Sequence, residues 1–286
     1  MPVVPYYRTQ QIPPMYSKNL PLLFLCMLFA GAMQAQQDTL PSDFVIKGKA
    51  IGISAPELID QMMAVMPGFE TGAKKMVSEQ TVKPFIMPPR SAKGKAASTT
   101  YTLATCMEFY TNFESNYKLN LSPDFVKLNL QKKTGVNIKD ALRYLVTDGT
   151  VSADVVPFES NTLPKDVSKS RRYLIDNYLQ VFSQQHRTSQ KIFQIQKALM
   201  KGNPVIVELK IPADFEQVKD TRFYSLTEDL TDEVLPFLVV SYDLQLEAFE
   251  VMSAWGREWG YNGYLWIDFD DLATMALNGY VMVPVR

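Results

Sequence analysis

The sequence predicts an α+β fold from three observations. Helix-period segments at 98–114, 135–149 and 189–202 accompany apolar strand-like runs at 172–182, 204–211 and 233–243, with the strands gathered in the second half of the chain. Residues 249–252 and 264–267 read as two more strands, with Trp-Gly and Asn-Gly pairs between them as turn punctuation. All three tryptophans, Trp255, Trp259 and Trp266, fall in this one segment, so a hairpin with large aromatics packed beside a bend is expected.

A chain of 286 residues with 47% hydrophobic composition can bury the core of one large domain or of two lobes. Twenty-nine Lys and Arg against thirty Asp and Glu leave no whole-molecule field to attract nucleic acid or an anionic membrane, and neither is expected as a partner. Lys18 precedes a short apolar run that ends in small residues near Ala35, the pattern of a cleaved secretory signal over 1–35. The run is too short for a membrane span. Cleavage after Ala35 or Ala32 releases a chain for export to the periplasm, the cell envelope or the medium, and Met15 is an alternative start. Cys26 follows Leu25, where a lipid-attachment site takes a small residue. With the signal removed, Cys106 is the one cysteine left and has no partner for an intramolecular disulfide.

Residues 36–95 read as an N-terminal extension leading into a main domain at 96–286. Within it 43–53 alternates like a strand, 55–66 has helical spacing with Ser54 as N-cap, and the Pro- and Lys-bearing stretch 83–95 is a connecting segment. Ser98, Thr99 and Thr100 form a cap-like run entering a helix on which Cys106, Phe109, Tyr110 and Phe113 share a face. That places the Cys106 thiol in the first turns, where a helix N-terminus lowers a thiol pKa. Pro123 suits the first position of the next helix, and Gly149 ends the amphipathic segment before it.

These segments, in this order, resemble the papain-like (C1) cysteine peptidases. The run around Cys106 is similar to their nucleophile helix, Leu121-Ser122-Pro123-Asp124 to the start of their following helix, and Ser253-Ala-Trp255-Gly256 through Trp266 to their "NSWG.WG..GY.W" signature. The resemblance implies a two-lobe α+β fold, with a helical lobe at about 96–165 and a β-rich lobe at about 166–286. A cleft between the lobes is then lined by Gly135, Val136 and Trp255, with Cys106 at the nucleophile position. It also implies that the polar partners are replaced. Ungapped counting puts Thr100 at the oxyanion-hole Gln and Ser253 at the Asn. Aligning Ser241-Tyr242-Asp243 with the family's "GYD" puts Leu235 at the catalytic His.

Leucine can neither take a proton from a thiol nor give one to a leaving amine. A thiol near its ordinary pKa of ~8.5 is only a few per cent thiolate at neutral pH. The reading that follows is an exported, non-catalytic papain-like protein that binds a peptide or protein in the interlobe cleft. The alternative is an active cysteine peptidase or acyl-transfer enzyme in which Cys106 works with an unorthodox base: the sole histidine His186, or Glu108, Asp232 or Glu233. Redox sensing lacks a resolving cysteine. No His and Cys cluster offers a metal site, and no cofactor is expected.

Overall fold

The computed structural model describes residues 45–46, 49–69, 78–130 and 135–285, all within the unit Pro41–Arg286. The signal expected at 1–35, with its cleavage sites, lies outside the described residues. Where alternation over 43–53 predicts one strand, two short ones, β1 (Val45–Ile46) and β2 (Lys49–Ala50), pair antiparallel. Gly52 follows at φ 81, and a Cβ there would stand 2.5 Å from the Tyr178 hydroxyl, so the chain bends against that ring. Helix α1 is Pro56–Met62, shorter than the periodicity predicts. Its N-cap is Ala55 rather than Ser54, because Pro56 takes the first helical position.

Helix α2 spans Lys95–Ser115 and so begins a turn before the Ser-Thr run that reads as its cap. Lys95, Ala96 and Ala97 are good helix formers, and Gly94, at φ 132, turns the chain into them. Helix α3, Pro123–Leu130, starts at its proline, with the Ser122 hydroxyl accepting from the Phe125 amide at 3.1 Å. Helix α4, Ile138–Thr147, is capped by the Asn137 side chain. The predicted glycine stop holds: Gly149 sits at φ 69, and a Cβ would meet the Tyr173 carbonyl oxygen at 2.2 Å.

One buried carboxylate ties the helices together. Glu108 is fully buried on α2 and accepts from Arg90 Nη1 at 2.9 and 2.8 Å and from the Leu121 amide at 2.7 Å. Arg90 Nη2 reaches Asn120 Oδ1 at 2.6 Å. Burial pushes the Glu108 pKa up against the opposing pull of the Arg90 charge.

The remaining elements are β4 (Ile175–Phe182), α5 (Thr188–Met200), β5 (Val205–Lys210), β6 (Phe223–Tyr224), β7 (Val234–Asp243), β8 (Ala248–Met252), β9 (Tyr264–Asp268), α6 (Phe269–Met275) and β10 (Ala276–Pro284). The strands form one sheet in the order β4-β10-β5-β7-β8-β9-β6, mostly antiparallel. The expected aromatic hairpin is β8–β9, paired from Ala248↔Asp268 to Met252↔Tyr264. Phe215, Phe237, Trp255 and Trp259 pack beside its bend, and the Trp259 indole donates to the Phe215 carbonyl at 2.8 Å.

The stretch expected as a lead-in is woven into this domain, so residue 95 is not a boundary in the packing. Strand β3 (Glu79–Thr81) pairs with the end of β7, and the Thr81 and Ser241 hydroxyls are hydrogen-bonded at 2.7 Å. Lys83 forms an ion pair with Glu250 on β8. Ile51, Ile53, Ile59, Met63 and Val82 join the same core as α2 and the sheet. Apolar burial here extends the sheet's own core, at roughly 25 cal/mol per Å². Among the described residues no helix is long and apolar enough to cross a membrane.

Candidate active site

The first turn of α2, the loop into α4 and the start of β7 enclose an open cleft of about 530 Å³. Ala96 and Thr99 line it from the helix, Gly135 and Val136 from the loop, Leu235 from β7 and Glu208 from β5. Gly135, at φ 95, gives the loop a backbone conformation that a side chain strains, and this places Val136 against the cleft. Lys95 spans from the helix to Glu233 at 2.6 Å and Glu216 at 3.5 Å. The Glu233 hydrogen bond raises the Lys95 pKa, so Lys95 keeps its charge at neutral pH.

Two of the expected positions come together at the base of α2. Thr102 donates to the Pro236 carbonyl at 3.4 Å, which sets this face of the helix against the β7 residue next to Leu235. Ser253 lines a void of about 10 Å³ with Tyr101 and Thr102 on the same helix, and its hydroxyl accepts from the Trp255 amide at 3.2 Å. Leu235 is 8% exposed. Thr100 turns inward, and its hydroxyl donates to the Ala97 carbonyl at 3.1 Å, so it offers nothing to a substrate. Trp255, expected at the cleft, packs instead in the aromatic cluster with Phe215 and Phe237, because the hairpin bend directs it there.

Cys106 is elsewhere. It lies mid-way along α2, one turn beyond Thr102 and two beyond Thr99, and is 0% exposed within the main core. The expectation of a thiol in the first turns is corrected by the earlier helix start. No helix N-terminus acts on it, and burial alone pushes its pKa up, away from the thiolate.

The residue that stands in the first turns is Ser98. It is 2% exposed, and its hydroxyl has no hydrogen-bond partner among the described residues. Gly94 followed by Lys-Ala-Ala was the sequence signal for this registration.

The alternative bases are engaged away from Cys106. Glu108 pairs with Arg90, Asp232 with Lys210 at 2.9 Å, and Glu233 with Lys95. His186 Nδ1 accepts from the Ser183 amide at 3.1 Å and lines a separate cavity beside Asp60 and Lys197. Among the described residues no group of His, Cys, Asp and Glu forms a metal site.

A sequence profile described as papain family cysteine protease matches residues 101–285, more than half of the chain. This chain belongs to the papain family. The matched span takes in Cys106, Leu235, Ser253 and Trp255 and begins three residues after Ser98. This papain-family chain is similar in fold to digestive procathepsin L 3 of Tenebrio molitor, with a TM-score of 0.62 and 15% identity over 79% of this chain and 78% of that one. It is similar to the Carica candamarcensis cysteine protease CMS1MS2, solved in complex with E-64, with a TM-score of 0.58 and 16% identity over 73% and 99%. Xylellain, a cysteine protease from Xylella fastidiosa, gives a TM-score of 0.58 and 17% identity over 76% and 91%. Among curated proteins, Gamete and mating-type specific protein A of Dictyostelium discoideum is 32% identical over 85 residues, 29% of this chain and 19% of that protein.

Proposed function

We propose that this papain-family protein is an exported binding protein, which holds a peptide or a segment of a protein in its cleft and does not cleave it at a papain-like rate. The observation that carries this reading is Leu235 at the cleft edge of β7, opposite the first turns of α2, where a proton-transferring side chain has to stand. A serine hydroxyl without a base is a weak nucleophile, and nothing at Leu235 can protonate a leaving amine. The buried state of Cys106 supports the same conclusion, since a thiol without a route to thiolate or to substrate contributes no chemistry. Export rests on the apolar run and small residues that end near Ala35.

The test is a panel of fluorogenic peptides given to the purified mature protein and to Cys106→Ala, alongside photo-cross-linking peptides located by mass spectrometry. No turnover by either protein, with cross-links at 96–99, 135–138 or 234–236, is the expected result. Turnover by either protein overturns the non-catalytic reading, and cross-links confined to other surfaces overturn the cleft as the binding site. Mass measurement of the natural protein tests export, which predicts an N-terminus at residue 33 or 36.

A further inference from the structure

We infer that the cleft selects a peptide carrying a basic side chain, and that Glu208 receives its cation; this rests on the cleft being the binding site. Glu208 lies on β5 opposite Pro236 of β7 on one side and Asn278 of β10 on the other, and it is half-buried in the cleft lining. Its Oε2 accepts from Asn278 Nδ2 at 2.8 Å and from the Tyr280 hydroxyl at 3.2 Å. Tyr280 is fully buried, and burial together with the adjacent carboxylate pushes its pKa up, so it remains a donor. Gln180 in turn donates to Asn278 Oδ1 at 3.0 Å, which fixes the amide.

This network orients the carboxylate with neutral donors only. Among the described residues no Lys, Arg or His forms an ion pair with Glu208, in contrast to Glu233, which Lys95 neutralises at the same cleft. Of the three formally charged side chains that line the cleft, Lys95 is paired with Glu233 and also with Glu216, and Glu208 is the one that lacks an oppositely charged partner among the described residues. Val136, Leu235 and Pro236 supply an apolar wall for the aliphatic stem of a lysine or arginine, whose charged end then completes the carboxylate. An acidic side chain meets repulsion there. A purely apolar one desolvates Glu208 without replacing its water.

The experiment is calorimetric titration of the full mature chain with five peptides, acetyl-Ala-Ala-Xaa-Ala-Ala-amide, in which Xaa is Lys, Arg, norleucine, Gln or Glu. Capped ends leave the Xaa side chain as the only variable charge. The Lys or Arg peptide is expected to bind about tenfold more tightly than norleucine, as for a charge-assisted hydrogen bond in a half-buried site. The preference should shrink as salt rises and disappear in Glu208→Gln, which keeps an acceptor for Tyr280 and Asn278. Equal affinity for Lys and norleucine in the unmodified protein overturns the inference without any variant and leaves the cleft reading standing. A Lys preference retained by Glu208→Gln also overturns it. If no peptide of the five binds, the cleft reading fails and this inference fails with it.

Discussion

Ser98 and Cys106 share one helix, eight residues and therefore about 12 Å apart along its axis, and it is Ser98 that stands in its first turn. In a Cys106→Ala background, Ser98→Cys combined with Leu235→His is expected to give a thiol labelled by iodoacetamide at neutral pH at least about tenfold faster than Cys106 is in the unmodified protein. The helix N-terminus and an imidazolium both favour the thiolate there. Intact-mass time courses measure it. Equal rates would contradict an effect of the helix N-terminus and the introduced imidazole on a thiol in this turn.

Cys106 itself should behave as a core residue. Its folded pKa is raised by burial, whereas the unfolded thiol titrates near ~8.5. Above that pH the unfolded chain releases a proton that the native chain keeps, so the unfolded state binds fewer protons and stability falls as pH rises. The slope approaches about 1.4 kcal/mol per pH unit. Urea unfolding between pH 7.5 and 9.5 should show this decline in the unmodified protein and a smaller one in Cys106→Ala. Parallel pH profiles for the two proteins would contradict a sealed thiol.

Arg90→Met leaves the Glu108 carboxylate buried without its cation, and a loss of about 3–5 kcal/mol is expected. Because the folded pKa of Glu108 is already raised, the variant should regain stability as pH falls toward the ordinary glutamate range, where the native state takes up the proton first. Arg90→Met with Glu108→Gln should be more stable than Arg90→Met alone at pH 7, since the neutral amide still accepts from Leu121. Chemical denaturation of the three proteins at pH 5 and 7 decides it. A pH-independent defect would assign the loss to arginine packing against Phe158 instead.

Much of the architecture was legible because its signals are local. Pro123 starts a helix, Gly149 stops a segment at a positive φ, and the Asn-Gly pair at 262–263 turns the aromatic hairpin. Each works through the backbone freedom of one or two residues, which a sequence displays directly. The start of α2 was not legible in that way. Ser98-Thr99-Thr100 has the chemistry of a cap, yet the helix runs through it from Lys95. The extension was misread for a related reason: Ile51, Ile53 and Val82 are unremarkable in isolation and become core residues only against β4, β7 and α5.

The sequence by itself determined the fold class and the aromatic hairpin, since these depend on residue identity and on spacing within short segments. Only the tertiary structure decided that Cys106 is core while Thr99 lines the cleft from the first turns of α2. It also decided that Glu208 enters the same cleft from a strand far away in the chain. The face that α2 presents is fixed by a packing partner more than a hundred residues distant and the register of β5 by strands further along the chain, and a one-turn shift of α2 changes which side chain meets the cleft.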